Sequence, residues 1–200
     1  MKDQNNWLLW GRFALLNIFG FVALYLAHLN GWITQIVTGD TSGISVGIFC
    51  FFLIGLFLTG VRVHKLTKEI NDIRSGSSSR LRQYAQLVKT KGQEVASQVT
   101  QIRLFSKIQW ISRIGNSLVV LGLIGTVLGA IQFLLGVDVQ ALQDVSRVGL
   151  AFEVILQGMG VALYTTLVGA ITNLWLTFNY GIVETGTANL VAALMDHSEE

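Results

Sequence analysis

The chain has no proline, a single cysteine in 200 residues, and charge on only 13% of its positions. The lone cysteine, Cys50, excludes an intrachain disulfide and any cysteine-built metal cluster. Without proline, no kink can come from a pyrrolidine ring. The scarcity of charge excludes more. Average proteins carry about 25% charged residues, and this chain combines half that with 52% hydrophobic residues and a mean hydropathy of +0.56. A water-soluble monomer is excluded. The formal net charge of +2 says little as a total; its distribution says more.

Four windows hold no Asp, Glu, Lys or Arg: between Arg12 and Asp40, Asp40 and Arg62, Arg113 and Asp138, and Glu153 and Glu184. A spanning helix needs about 20 mostly apolar residues. The apolar stretches Trp7 to Leu29, Ile44 to Val63, Asn116 to Val137 and Val154 to Ile182 each meet that length. They predict four transmembrane helices. Four fully buried soluble helices would leave too few amphipathic ones to cover them. A cleaved signal peptide is not expected, because Trp7, Trp10 and Arg12 interrupt any uniform apolar leader.

Orientation follows from the loops. Of the 14 basic residues, 11 fall from Arg62 to Arg113, which places that segment in the cytoplasm by the positive-inside rule. The loops at Asn30 to Gly43 and Asp138 to Glu153 then lie outside, and both termini face the cytoplasm. Trp7, Trp10, Trp32 and Trp110 stand near helix ends, where amphipathic rings anchor at the interface.

The cytoplasmic segment divides at Ser75, Gly76, Ser77, Ser78 and Ser79, which predicts a helical hairpin. After the break, Leu81, Tyr84, Val88, Val95, Val99, Ile102, Phe105, Ile108 and Ile111 recur mostly every three or four residues, the stripe of one amphipathic helix running into the third span. Its basic residues scatter without interleaved aromatics, and nucleic-acid binding is not expected. Outside, Val137, Val139, Leu142, Val145, Val148 and Leu150 alternate with polar residues in a short amphipathic stretch expected along the outer surface.

The first two spans are dominated by Phe, Leu, Ile and Val, whereas the last two carry small and hydroxyl residues at helical spacing. Gly122, Gly125, Gly129, Ala162 and Gly169 read as packing positions that let helix backbones approach closely. Thr126 is 12 positions before Asp138 and Thr166 is 13 positions after Glu153. Both hydroxyls therefore sit roughly 18 to 20 Å below those outer charges, near the middle of a core about 30 Å thick. A lone Thr commonly bonds its own helix; two at one depth on antiparallel helices can face an ion or a carboxylate from another chain. Tyr164, Thr165 and Asn173 are further lining candidates. No span holds a central ionisable residue, although proton relays normally need one at depth, so a titrating group would come from a partner. The same absence argues against an enzyme: there is no Ser/His/Asp set, no HExxH and no paired carboxylates. No cofactor and no metal site are expected.

The run Leu121-Gly-Leu-Ile-Gly-Thr-Val-Leu-Gly-Ala-Ile131, followed by Gly158-Met-Gly-Val-Ala-Leu-Tyr-Thr-Thr-Leu-Val-Gly169, resembles the MotA/TolQ/ExbB proton-channel family. The resemblance covers about residues 62 to 185. It implies a subunit of an ion-driven motor of the bacterial inner membrane, in which a homo-oligomeric ring, typically of five copies, surrounds single-span partner chains of the MotB/ExbD/TolR kind, each supplying an intramembrane Asp. It also implies that threonines matching Thr126 and Thr166 line the ring opposite that Asp, and that proton or sodium passage turns the ring and does mechanical work. Val161 stands where ExbB-like and TolQ-like chains carry Glu, which leans toward the stator-like branch, and Trp175 stands where ExbB-like chains have proline.

The expected fold is thus an all-α integral membrane protein with four transmembrane helices and a cytoplasmic helical hairpin, assembling as a ring. The expected divisions are 1–63 for the first two spans, 64–115 for the cytoplasmic segment, 116–184 for the channel helices and 185–200 for a cytoplasmic tail. Composition alone also allows a passive tetraspan scaffold that recruits partners through its cytoplasmic helices. A small-solute transporter would show paired inverted repeats, and none is visible.

Overall fold

The structure, a computed structural model, describes residues 5–74, 78–136 and 148–196. The described elements are all helices: α1 (Asn5–Leu29), α2 (Trp32–Gly39), α3 (Ile44–Arg74), α4 (Ser79–Lys91), α5 (Gln93–Ser106), α6 (Gln109–Gly136) and α7 (Val148–Asp196). Four stretches are long and apolar enough to cross a membrane: Leu8–Leu29, Ile44–Ile73, Gln93–Gly136 and Phe152–Asp196. Of the expected outer amphipathic stretch from Val137 to Leu150, residues 137–147 lie outside the described residues, as do Ser75, Gly76 and Ser77, and Val148 to Leu150 begin α7.

Local chemistry sets the ends. Gly31 adopts φ 77° between α1 and α2, a left-handed turn that a Cβ would strain. Ser78 caps α4, its Oγ accepting from Arg80 N at 3.2 Å. Asp40 lies at the entry to α3, where Oδ1 accepts from Ser42 N at 3.0 Å and Oδ2 accepts from Ser45 N at 2.6 Å. Burial alone would raise this carboxyl, but the hydrogen bonds from Ser42 and Ser45 outweigh it and hold Asp40 below its ordinary value of 3.8.

Two features differ from the sequence expectation. The stripe from Leu81 to Ile111 is not one helix: Gly92, at φ 83°, separates α4 from α5, and a further break at Lys107 and Ile108 separates α5 from α6. Apolar periodicity carried across Gly92 because the glycine replaces only one position of the stripe. The breaks let α4 pack against α5, with Tyr84 Oη and Ser97 Oγ hydrogen bonded at 3.0 Å. Val95 and Ile102 in that stripe remain exposed. The second feature is α2, a helix of eight residues in the segment expected as a loop. α7 itself continues without interruption past residue 184 to Asp196, with Val183, Thr187, Leu190 and Leu194 buried.

The chain forms two compact units, one of Met1–Phe19, Gly55–Arg113 and Leu176–Glu200, the other of Gly20–Ile54 and Ile114–Trp175. In the first, Val63, Leu66, Ile73, Ile108 and Ile111 are fully buried. α1 meets α7 there through Asn17, whose Nδ2 donates to Asn179 Oδ1 at 2.8 Å and to Phe13 O at 2.7 Å. In the second unit Trp175 packs between Phe21 and Phe52, ring centroids 5.3 and 5.1 Å apart. The bare backbone of Gly20 admits the indole, which any Cβ there would overlap.

Candidate ion pathway

The second unit contains the seam between α6 and α7. A Cβ added at Gly129 would stand 2.6 Å from Gly158 O and 2.7 Å from Ala162 N; one at Gly169 would stand 2.7 Å from Leu118 O; one at Gly122 would stand 3.0 Å from Thr165 O. At Gly125 the obstacle is the Thr165 side chain. The approaches at Gly129, Gly169 and Gly122 are backbone-to-backbone and only small residues permit them, and close van der Waals packing is what holds helices together where lipid removes the hydrophobic drive. Gly158, absent from the expected packing positions, belongs to the seam as well, 2.8 Å from Gly129 O by the same construction. Its spacing of four from Ala162 was the available signal.

This close approach brings two hydroxyls together. Thr126 and Thr166 hydrogen bond to each other through their Oγ1 atoms. Thr126 Oγ1 also lies 3.2 Å from both Gly122 O and Ala162 O, and Thr166 Oγ1 lies 3.4 Å from Gly122 O. The pair has two protons and two oxygens. One proton joins the hydroxyls and the other goes to a carbonyl, so the oxygens retain acceptor lone pairs. Thr126 is half-buried and Thr166 exposed along the helix pair. A group that donates a proton or presents a positive charge can approach Thr166 directly.

The other candidates separate around α7. Thr165 is fully buried in the seam, its Oγ1 donating to Val161 O at 2.8 Å. Tyr164 is turned toward the end of α2, where its ring covers Gly39. Asn173, two turns beyond Thr166 and on the same side of the helix, is half-buried, and its Oδ1 is enclosed with no hydrogen-bond partner among the described residues. The structure therefore joins Thr126 with Thr166, keeps Asn173 on their side, and directs Thr165 and Tyr164 elsewhere. The backbone acceptors Gly122 O and Ala162 O were not legible as site atoms, because only the helix approach aims them at the hydroxyls.

The family model for the MotA/TolQ/ExbB proton channel family matches residues 65–195, which include α4 to α6, α7 up to its penultimate residue, and the hydroxyl pair. The chain belongs to this family. No curated protein and no solved structure matches it. With its four apolar stretches, this MotA/TolQ/ExbB member is a multi-pass membrane protein. The family is one of proton channels, which supports a general role as subunit of an ion-driven motor.

Proposed function

We infer that the chain is the ring-forming, ion-conducting subunit of a bacterial inner-membrane motor, with both termini in the cytoplasm and the end of α3 beyond Val63, together with α4 and α5, forming the cytoplasmic helical hairpin. Copies, typically five, surround a single-span partner of the MotB/ExbD/TolR kind whose intramembrane Asp faces Thr126 and Thr166. Protons or sodium ions passing this contact drive rotation or other mechanical work. The observation that carries the reading is the hydroxyl pair, set between two glycine-packed helices of family sequence and keeping free lone pairs.

The chemistry follows from that pair. A carboxyl in apolar surroundings is neutral unless charge or hydrogen bonds stabilise its anion. A protonated Asp donates to Thr166 Oγ1 as it arrives; once the carboxyl has passed its proton to water on the exit side, the hydroxyl rotates and donates to the carboxylate. One threonine thus serves both protonation states, and Thr126 relays the change to Gly122 O or Ala162 O. A sodium ion would use the same oxygen lone pairs.

The test is copurification from native membranes in mild detergent with mass determination of the intact assembly. Several copies of this chain holding fewer copies of a single-span, Asp-bearing chain are expected. A lone chain, or an unrelated partner without an intramembrane carboxylate, would overturn the reading in favour of a passive tetraspan scaffold.

A further inference from the structure

The first unit holds a group of charges that the ion pathway does not use. Glu69 near the end of α3 directs Oε1 to Nη2 of Arg80 in α4 at 2.7 Å, an ion pair that ties the two helices together. Arg80 lies in the first turn of α4, whose N-terminal end adds partial positive charge and favours the carboxylate there. The contact uses one carboxylate oxygen. Glu69 Oε2 is enclosed with no hydrogen-bond partner among the described residues, and so are Nε and Nη2 of Arg62. Enclosed polar atoms without partners are costly, most of all on charged groups.

These unmatched atoms suit each other. Arg62 precedes Glu69 by seven residues, which puts both on one side of α3 at about 10.5 Å of rise, a gap that the two side chains span when they reach toward each other. Glu69 and Arg80 both act electrostatically on Arg62. Nε and Nη2 form one edge of the guanidinium, an edge that a carboxylate can meet with both oxygens at once. Turning Glu69 to Arg62 therefore makes two bonds where it breaks one, and it leaves Arg80, whose side chain is 24% exposed, to water. What opposes the turn is the seating of α4, where Ser78 and Tyr84 are buried. Each arrangement satisfies what the other leaves unmatched.

We propose that Glu69 is a two-position clasp. It exchanges between Arg80, which holds the N-terminal end of α4 to α3, and Arg62, which lets that end of α4 move away. Arg62 and Glu69 travel on one helix, so the carboxylate keeps an enclosed cation as partner when α4 leaves. The clasp gives the cytoplasmic hairpin two defined positions on α3, and it is independent of what passes Thr166.

The experiment measures the distance between α3 and α4 by double electron–electron resonance on the assembly as it purifies. Cys50, which is exposed, is replaced by Ser, and spin labels are placed at His64→Cys and Gln83→Cys, both exposed positions, with labelled copies diluted among unlabelled ones. Two distances are expected, the shorter one matching the contact between Glu69 and Arg80. Arg62→Gln removes the alternative partner and is expected to raise the ratio of short to long about fivefold, whereas Arg80→Gln is expected to lower it about fivefold. Arg80→Gln decides the matter if Arg62→Gln does not assemble. A single distance before substitution, or an unchanged ratio in either variant, would overturn the proposal. So would a fall in the short distance in Arg62→Gln, which would make Arg62 a fixed member of a network that holds α4 in place.

Discussion

Among the described residues, the polar contacts at Asn17 and Asn179 and at Thr126 and Thr166 each join two apolar helices, and they differ in what they leave over. At Asn17 and Asn179 the side-chain amides close on each other: the residues are 8% and 0% exposed, and Asn179 Nδ2 returns toward Asn17 Oδ1 at 3.5 Å. At Thr126 and Thr166 the hydroxyls also meet, but Thr166 is exposed and acceptor lone pairs remain. A polar group inside an apolar helix therefore has two uses. Enclosed and matched, it holds helices in register; open and under-used, it can meet a charge brought by another chain. Polarity alone does not separate the two uses, and exposure together with leftover hydrogen-bonding capacity does.

The strongest way to break the comparison is to force the hydroxyls apart. Gly129→Leu drives side-chain atoms into Gly158 O and Ala162 N, which are backbone and cannot swing aside. A cost near the upper end of ~1–3 kcal/mol is expected, read as a lower thermal midpoint in detergent and loss of the assembled complex. Thr166→Val is next. It preserves shape and removes the open hydroxyl, so ion flux should fall about tenfold, equivalent to ~1.4 kcal/mol, while the assembly keeps its mass.

Asn179→Leu sharpens the contrast from the other side. Intramembrane hydrogen bonds average about 0.6 kcal/mol with a maximum near 1.7, so a modest drop in thermal midpoint with flux retained per folded complex is expected. Flux lost in Asn179→Leu at unchanged stability would show that the closed pair also belongs to the pathway. Thr165→Val, one residue from Thr166 but buried against α6, should change both readouts little, since its hydroxyl serves only carbonyls of its own helix.

The smallest effect concerns Asp40. Because its carboxyl sits below the ordinary value in the folded protein, its ionised form contributes stability above the unfolded value of about 3.9, and that contribution is lost as pH falls through the folded value. Asp40→Ala should cost ~1 kcal/mol at neutral pH and flatten the acid limb of the thermal-stability profile. An unchanged acid limb would remove the capping role.

Much of the fold was legible because charge is so sparse. The four charge-free windows locate α1, α3, α6 and α7, since a bilayer-length helix leaves little room for any other reading. The breaks at Gly92 and Lys107 were not found, for different reasons. Gly92 follows Lys89 and Lys91, a common helix-ending pattern, but the apolar stripe ran on past it; Lys107 and Ile108 carry no glycine or proline, so the turn there comes from packing. α2 escaped notice because a segment of eight residues between two glycines gives too short a period to detect.

At the candidate site, depth arithmetic placed Thr126 and Thr166 at one level from the distances to Asp138 and Glu153. What it did not supply was azimuth. Neighbouring residues on a helix diverge by about 100°, so Thr165 and Tyr164, written beside Thr166 in the chain, face the seam and α2. Only the packing of Gly122, Gly129 and Gly169 fixes which threonine turns outward.

The central claim is that the open hydroxyl pair is where ions pass, and ion flux through the reconstituted complex carrying both Thr126→Val and Thr166→Val tests it most directly. An assembly of unchanged mass is expected, with a drop in midpoint no larger than that of Asn179→Leu and with proton or sodium flux at background. Flux at the unsubstituted level in that intact assembly would contradict that claim and reduce the pair to the same structural role as Asn17 and Asn179.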